Sequence, residues 1–317
     1  MGAAEDRRDR PVVVLAGGTG GAKLARGMLD VVGEELVVIA NTADDVEIYG
    51  AHVSPDPDLV TYWLADRIDE RGWGLRDDTF HAMEMLRELG VDVWFNLGDR
   101  DLAVCLRRAE RLAGGARLTE ALDELRTALG VSGRVVPMSD APVRTRVLAG
   151  GEWWAFQEFM IRRGGAGPVE GVDYDGVRAA SPPLEALEAI AAARAIVIGP
   201  SNPVISIGPI LAVPGMADAL RSAPAPVVAV SPIVDGEVLK GPTAAFLAWA
   251  GQTMDARGIA STYAGLVDGI VTDERAELDV TSLVTGTLMA DAASRERVAR
   301  ETLEFALGLA GSRAAPQ

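Results

Sequence analysis

The amino-acid sequence predicts an α/β fold, a Rossmann-like parallel sheet flanked by helices, with an embedded β-rich subdomain or lid. Two short apolar runs, at 12–15 and 36–39, enclose a glycine-rich turn and a helical segment at 21–32. Continuous apolar runs of this length are typical of strands that are buried on both faces. A strand–loop–helix–strand unit predicts a parallel pair with a right-handed crossover. Strands and helices alternate again late in the chain, whereas 130–175 is rich in β-like segments.

Helical periodicity predicts four further helices in the first half of the chain, at 57–70, 78–90, 100–113 and 118–129. In the third of these, we expect the apolar residues to face inward and the arginines to lie largely off that face. The apolar residues are Leu102, Leu106, Ala109 and Ala113, and the arginines are Arg107, Arg108 and Arg111. Strands are predicted at 134–137, 143–148 and 153–161, separated by glycine-rich turns. A helix at 184–194, strands at 195–198, 227–230 and 269–272, and a helix at 291–309 complete the prediction.

The chain of 317 residues is predicted to form one domain. At about 100–200 residues per domain, this length allows one large or two modest domains. No linker or internal repeat divides it. We therefore predict a disordered leader at 1–10 and a single Rossmann-like domain at 11–311. The β-rich insertion lies at about 130–175 of that domain, and a tail follows at 312–317.

Composition and charge exclude several classes of protein. A formal net charge of −16 argues against a nucleic-acid binder, which needs a basic surface to displace counterions. One cysteine, Cys105, excludes a disulfide framework. The charged N-terminus lacks the apolar segment of a signal peptide, and the uncharged stretch 195–217 contains four prolines, so it cannot form one spanning helix. We expect a soluble, cytoplasmic protein that binds neither nucleic acid nor a membrane.

A glycine-rich motif follows the first predicted strand and opens the first helix. It consists of Gly17, Gly18, Thr19, Gly20, Gly21, Ala22 and Lys23. Glycines let the backbone approach a phosphate, whose charge the free amides and the helix dipole attract, and Lys23 would add a cation. The motif is neither the dinucleotide fingerprint nor a Walker A loop. The alternative is a tight strand-to-helix turn that binds no ligand.

An acidic cluster follows the second predicted strand. It contains Asp44 and Asp45, then His52, Asp56 and Asp58. Ligands bind at the carboxyl ends of the strands in open α/β sheets, so these carboxylates are expected beside the glycine motif. Carboxylate oxygens are hard ligands that suit Mg²⁺, which would be held jointly with substrate phosphates. Alternatively, Asp56 or Asp58 caps the following helix and Asp44 makes an Asx turn.

Two more polar motifs stand where predicted strands end. In N-L-G-D-R-D, which begins at Asn96, helix capping best explains Asp99 and Asp101. Capping does not explain Arg100, because a cation at a helix N-terminus opposes the dipole. In G-P-S-N-P, two prolines fix the backbone around Ser201 and Asn202, whose side chains suit a base or a sugar. The alternative for the second motif is a rigid structural loop.

Together these motifs resemble the 2-phospho-L-lactate transferase family. The resemblance is carried by G-G-T-G-G-A-K, N-T-A-D-D, S-P-D-P-D, R-G-W-G-L-R-D-D-T-F, N-L-G-D-R-D-L-A, P-M-S-D, F-Q-E-F, G-P-S-N-P-V-I-S-I-G-P-I-L, V-S-P-I-V and T-D-E-R. It extends from Val12 to the C-terminal helix.

The resemblance implies an enzyme of coenzyme F-420 biosynthesis. Members transfer a phospholactyl group from lactyl-diphospho-guanosine to the ribityl hydroxyl of the deazaflavin Fo (7,8-didemethyl-8-hydroxy-5-deazariboflavin), and GMP leaves. Actinobacterial relatives use the enolpyruvyl-diphospho-guanosine donor instead. The family uses Mg²⁺, has a Rossmann-like fold and tends to form homodimers, so the same cofactor and assembly are expected here.

Residue by residue, the resemblance implies that Asp58 and Asn96 contact Fo, with His52, Asp99 and Arg100 near them. It places Asp44 and Asp45 at the metal and phosphate, with Asp45 also positioned to orient the attacking hydroxyl, so Asp45 and Asp58 are the predicted catalytic residues. The glycine motif would hold the phosphates, and Ser201 and Asn202 the guanosine. Some relatives have Arg in place of Lys23, which suggests that this position supplies charge rather than specific geometry.

Two alternatives belong to other classes. Non-enzymatic regulators that bind nucleotide sugars share a G-G-T-G loop and an A-D-D motif, but a Gly/Ser-rich run follows their A-D-D, unlike here. A nicotinamide-dependent oxidoreductase would have the spaced glycine fingerprint that this chain lacks.

Overall fold

The computed structural model describes residues 10–238 and 241–313. Most of the predicted leader 1–10, and the end of the predicted tail 312–317, therefore lie outside the described residues. The last helix includes the first two residues of that tail.

The strands and helices alternate along the chain. The strands are β1 (Val12–Ala16), β2 (Leu36–Ala40), β3 (Val46–Ile48), β4 (Ala51–Val53), β5 (Arg134–Pro137), β6 (Arg144–Ala149), β7 (Glu152–Ala155), β8 (Gly171–Asp175), β9 (Ala195–Ile198), β10 (Val227–Val230), β11 (Ile233–Val234), β12 (Glu237–Val238), β13 (Gly269–Thr272) and β14 (Thr281–Val284). The α-helices are α1 (Gly18–Val32), α2 (Pro55–Leu64), α3 (His81–Glu88), α4 (Asp99–Ala113), α5 (Leu118–Ala128), α6 (Phe156–Ile161), α7 (Leu184–Ala192), α8 (Gly208–Ala212), α9 (Met216–Ser222), α10 (Thr243–Trp249), α11 (Ala256–Thr262) and α12 (Ala292–Arg313). A π-helical turn, Pro203–Ile207, precedes α8.

Seven parallel strands form the central sheet, in the order β14-β13-β10-β9-β1-β2-β5. The chain builds outward from β1 in one direction through β2 and β5. It then returns to the other side of β1 with β9, β10, β13 and β14. This reversal of strand order is the topological switch point at which open α/β sheets bind ligands. The predicted parallel sheet flanked by helices is confirmed.

Helices cover both faces of this sheet, because successive residues of its strands point to opposite sides. Val12 and Val14 pack with apolar residues of α1, α2 and α12. Val13 and Leu15 pack on the opposite face with residues of α7 to α11. All four side chains are fully buried, which explains the continuous apolar run in the sequence.

The β-rich segment differs in two ways from the prediction for 130–175. Strand β5 is the edge strand of the central sheet, paired with β2, and the separate antiparallel sheet has the order β7-β6-β8. The predicted strand at 153–161 is wrong beyond Ala155, where α6 begins. Buried Phe156 and Phe159 are three residues apart, the spacing of a helix face rather than a strand face.

The buried face of α4 also differs from the prediction. Asp101, Cys105 and Arg108 are buried, whereas Leu106 is 45% exposed. The predicted apolar residues therefore do not form the inward face of α4. Arg108, one of the three arginines predicted to lie off that face, is fully buried. A polar interior between α4 and α2 explains the difference, as the site below shows.

The predicted helix at 57–70 is shorter and starts earlier than expected, since α2 spans Pro55–Leu64. Asp66 adopts a left-handed φ of 53°, and the chain continues as a loop closed by a bridge between Ile68 and Leu75.

Within residues 10–238 and 241–313, no single helix combines the length and apolar content needed to cross a membrane. One pair of short helical segments, Pro203–Ala212 and Met216–Ser222, meets both criteria together but bends by 84°.

Candidate active site

A cavity of about 570 Å³ opens at the carboxyl ends of β1 and β9, the two strands at the topological switch point. Its wall includes most of the glycine motif, namely Gly17, Gly18, Thr19, Gly20 and Lys23. Ser201 and Asn202 line it from the loop after β9, and Asp44 and Asp56 line it from the segments after β2. Sequence motifs that lie far apart in the chain therefore meet in one space.

The glycines allow two loops to pack against each other. A Cβ at Gly20 would overlap the carbonyl oxygen of Pro200, and one at Gly21 would lie 2.5 Å from Ser201 Oγ. The Gly17 amide donates a hydrogen bond to the same Ser201 Oγ (3.3 Å). Gly21 is buried in this contact and does not line the cavity. At these positions, close packing between the β1 and β9 loops requires glycine.

Asp56 occupies the start of α1. Its carboxylate accepts hydrogen bonds from the Gly18 amide (2.7 Å) and from Asn41 Nδ2 (2.9 Å). Burial raises the pKa of Asp56 to about 6, because the surroundings disfavour the charged form. The Gly18 amide, which was expected to bind a phosphate, thus binds the carboxylate of Asp56. Asp56 does not cap α2, which it enters in the first turn.

Asp44 presents a buried carboxylate without a full set of partners. Its Oδ1 has no hydrogen-bond partner within the described part of the chain. Burial and the neighbouring carboxylate of Asp56 raise the pKa of Asp44 well above its usual value. Two buried carboxylates beside one cavity, one of them with an orphaned oxygen, form a donor set that suits a divalent cation with hard oxygen ligands.

Asp45 lies next in sequence but has different surroundings. Ser54 Oγ donates to its Oδ1 (2.7 Å), and the Nε2 atom of His52 lies 2.9 Å from its Oδ2. Neither Asp45 nor His52 lines the cavity. Of the predicted metal pair, Asp44 lines the cavity and Asp45 does not, and Asp56 is the other carboxylate of the cavity wall among the described residues.

Asp58 forms a buried ion pair with Arg108 of α4. Arg108 Nη1 also donates to the carbonyl oxygen of His52 (2.8 Å). Burial raises the pKa of Asp58, although the Arg108 guanidinium opposes that rise. Near this pair, the Tyr62 hydroxyl donates a hydrogen bond to Asp101 (2.7 Å). Burial and the nearby carboxylate of Asp58 raise the pKa of Asp101 to about 7. Asp58 thus joins α2 to α4 and does not line the cavity.

The third predicted motif lies outside the cavity as well. Asn96 Oδ1 accepts from Arg87 Nη2 (2.9 Å). Asp99 accepts from the backbone amides of His81 (3.1 Å) and Ala82 (2.9 Å), so it caps α3 rather than the helix it begins. Arg100 is exposed, and its amide donates to Asp78 (2.8 Å).

The remaining predicted residues line the cavity and also support its wall. Asn202 Oδ1 caps the π-helical turn by accepting from the amides of Val204 (2.9 Å) and Ile205 (3.2 Å), while its Nδ2 donates to Thr243 Oγ1 (3.2 Å). The Lys23 ammonium donates to the Met289 carbonyl oxygen (3.0 Å). It brings a positive charge to the cavity wall.

Sequence reasoning did not assign several residues that line the cavity. Asp56 was named in the acidic cluster, with a helix cap as its alternative, but was given no role of its own. Phe156 and Gln157 stand in F-Q-E-F, a motif that was quoted without assigning its single residues. Arg71 and Trp73 come from R-G-W-G-L-R-D-D-T-F. Thr287, whose buried hydroxyl has no partner among the described residues, lies in no quoted motif.

Residues 12–299 match the family model described as 2-phospho-L-lactate transferase CofD. The chain belongs to the 2-phospho-L-lactate transferase CofD family. It is therefore a transferase, and the cavity at the switch point is the candidate active site of a CofD-family enzyme.

Relatives of this CofD-family chain have two different names. A 2-phospho-L-lactate transferase of Methanopyrus kandleri is 39% identical to this chain, in an alignment that covers 95% of this chain and 99% of the relative. One from Methanosarcina mazei is 39% identical over 84% of this chain and 88% of its own length. A phosphoenolpyruvate transferase of Kitasatospora aureofaciens is also 39% identical, over 93% of this chain and 97% of that protein.

A crystal structure of a UPF0052-family protein from Bacillus halodurans shares the fold of the CofD-family chain, with a TM-score of 0.63 at 19% identity. The match covers 93% of this chain and 99% of that one. At this identity the likeness concerns the architecture alone.

Proposed function

We propose that this chain transfers a phospholactyl or phosphoenolpyruvyl group from a guanosine diphosphate-linked donor to Fo, in coenzyme F-420 biosynthesis. Its relatives bear the names of transferases for both groups. The observation that carries the proposal is the cavity at the end of β1, where the glycine motif, two carboxylates and the Ser201–Asn202 loop line one space. Its volume of about 570 Å³ falls within the usual range of about 300–1,000 Å³ for ligand sites.

The reaction forms one bond to phosphorus and breaks another. The ribityl hydroxyl oxygen of Fo bonds to the phosphorus that carries the lactyl or enolpyruvyl group. The bond from that phosphorus to the bridging oxygen of the diphosphate breaks, GMP leaves, and the hydroxyl gives up its proton. Such transfers depend mainly on positioning and on charge stabilisation, so a site with few nucleophilic side chains is sufficient.

We infer that Mg²⁺ is held by Asp44 and Asp56. The orphaned Oδ1 of Asp44 and the burial of both carboxylates support this choice. The bound cation would supply charge neutralisation for the diphosphate. Asp45 is a weaker choice, since it does not line the cavity.

The chain's own residues would position the two substrates. The glycine motif lets the diphosphate lie against the backbone at the start of α1, where Lys23 adds positive charge. Phe156 and Met160 also line the cavity and would limit the access of water, so that the acceptor hydroxyl reacts rather than a solvent molecule. We also propose that the chain forms a homodimer, the state that the family resemblance implies. Light scattering tests this proposal, and we expect a mass twice that of the chain.

A transfer assay tests the proposal. The enzyme would be incubated with Fo, Mg²⁺ and either lactyl- or enolpyruvyl-diphospho-guanosine, and the products separated and weighed by mass spectrometry. We expect one molecule of GMP for each Fo consumed and a product whose mass identifies the acyl unit. If neither donor yields an Fo product, the proposed acceptor is wrong, and GMP release without Fo consumption would indicate hydrolysis instead.

The relatives that are 39% identical and bear transferase names favour an enzyme over the regulator that binds nucleotide sugars. A melting-temperature comparison with GDP, a UDP-sugar and NAD provides an independent check. We expect GDP to stabilise the chain and the other two to leave it unchanged.

A further inference from the structure

A tryptophan stands in the cavity wall with much of its surface exposed. Trp73 lines the cavity and is 43% exposed. Phe156, the other aromatic residue of the cavity wall within the described residues, is only 8% exposed. The exposed part of the indole does not pack against the protein, and within a cavity it can contact a flat ring of a bound ligand.

Two neighbouring side chains contact the Trp73 ring. The Arg71 guanidinium lies 4.5 Å from the ring centroid, and the Phe80 ring meets Trp73 edge to face, with centroids 6.2 Å apart. Asp69 accepts a hydrogen bond from Arg71 Nε (2.6 Å) and fixes the guanidinium in turn. The indole is thus supported by a stack of two side chains while part of its surface remains open.

The position of Trp73 in the fold indicates which substrate it meets. Trp73 belongs to the loop after α2, a helix that packs on α1, β2 and β5, whereas Ser201, Asn202 and Thr243 follow β9 and β10 on the other side of β1. The glycine motif at the end of β1 lies between the two groups. A diphosphate on that motif would leave one side of the cavity for its own nucleoside and the other for the acceptor.

We propose that Trp73 stacks on the planar deazaflavin ring of the acceptor. This inference rests on the proposed function, because it assumes that Fo approaches the reacting phosphorus from the side opposite the departing guanosine phosphate. Stacking on indole is tolerant of ring chemistry, so Trp73 supplies affinity while polar groups elsewhere set the orientation.

Paired titrations of Trp73→Leu and Trp73→Phe with Fo and with GDP test the assignment. We expect Trp73→Leu to raise the Fo dissociation constant by roughly ten- to a hundredfold, and Trp73→Phe by less, since a smaller ring remains. GDP affinity should stay within about twofold, and in turnover the KM for Fo should rise more than kcat falls.

Trp153 provides a matched control. It is also 43% exposed and also lies against an arginine, Arg146, at 5.4 Å, but it does not line the cavity. Trp153→Leu should leave both dissociation constants unchanged, with melting temperatures of all three variants close to wild type.

Each other outcome overturns the inference. If Trp73→Leu binds Fo as wild type does, the stacking assignment alone is wrong. If GDP affinity falls instead of Fo affinity, Trp73 serves the guanine ring. If the wild-type chain does not bind Fo at all, the proposed acceptor fails, and the stacking assignment fails with it.

Discussion

Asp56 and Asp58 lie two positions apart in the first turn of α2, yet they have different surroundings. Because an α-helix turns about 100° per residue, the two side chains point in very different directions. Asp56 meets the Gly18 amide and the cavity, while Asp58 meets Arg108 and the interior below α4. A motif such as S-P-D-P-D therefore indicates an acidic site without telling which carboxylate enters it.

Metal binding should distinguish the cavity carboxylates from their neighbours. In the presence of GDP, we expect Mg²⁺ to raise the melting temperature of wild type, because a ligand that binds only the folded state stabilises it. The shift should disappear in Asp44→Asn and Asp56→Asn and persist in Asp45→Asn. An undiminished shift in Asp44→Asn, measured by differential scanning fluorimetry, would remove Asp44 from the metal site.

The buried ion pair of Asp58 and Arg108 should contribute through stability rather than through substrate binding. Arg108→Met leaves the Asp58 carboxylate buried and unpaired, so we expect a loss of about 3–5 kcal/mol in the free energy of unfolding. Urea unfolding of Arg108→Met/Asp58→Leu should show a much smaller loss, because neither charge remains. Fo affinity in Asp58→Asn should stay within about threefold of wild type. A large loss of affinity in a stably folded variant would return Asp58 to the binding site.

Asp101 should make stability depend on pH. Its folded pKa of about 7 exceeds the unfolded value of 3.8, so the folded state binds the proton more tightly. The resulting stabilisation is complete below pH 3.8 and is lost as the pH rises through about 7. We therefore expect Asp101→Asn to flatten the fall in unfolding free energy between about pH 4 and 7. Asp99→Asn, at the exposed cap of α3, is the control and should leave that slope unchanged. An unchanged slope in Asp101→Asn would contradict the assignment.

At the scale of secondary structure, the sequence predicted the elements whose environment is uniform. Strands β1, β2, β9, β10 and β13 are buried on both faces, so an apolar run identifies each one. Strand β14 was missed because three of its four residues are exposed and the fourth is half-buried, so no buried apolar run marks it in the sequence. The β3–β4 hairpin was missed because its three-residue strands depend on a turn at Tyr49 and Gly50, both with positive φ.

Packing between α1 and α12 supplies a prediction about elements. A Cβ at Gly27 would overlap the Arg295 carbonyl of α12, so Gly27→Ala should separate the helices and cost about 1–3 kcal/mol. Gly308 on α12 has nothing near the added methyl group, and Gly308→Ala should stabilise by about 0.5–1 kcal/mol through helix propensity. Thermal unfolding of the two variants measures both signs. Equal effects would mean that helix propensity, not the contact, governs Gly27.

For the whole molecule, the parallel sheet and its ligand-binding end could be predicted, but the membership of the site could not. The rule that strand ends face the ligand placed the glycine motif and the Ser201–Asn202 loop correctly beside one cavity. The same rule gathered Asp45, His52, Asn96 and Asp99, which follow strands or segments near that edge but turn to hydrogen-bond elsewhere. Side-chain direction, which depends on loop packing, decides between the two outcomes.

The rate of group transfer in four single variants tests the central claim, that the reaction takes place in the cavity at the end of β1. Single-turnover rates would be measured for Asp44→Asn, Asp56→Asn, Asp45→Asn and Asp58→Asn, with Fo, Mg²⁺ and the preferred donor. Removing charge stabilisation at the reacting phosphate should slow the first two by roughly a hundredfold or more. The other two, when folded, should remain within about tenfold of wild type. Fast transfer in Asp44→Asn and Asp56→Asn, together with loss in Asp45→Asn and Asp58→Asn, would contradict this account and place the chemistry outside the cavity.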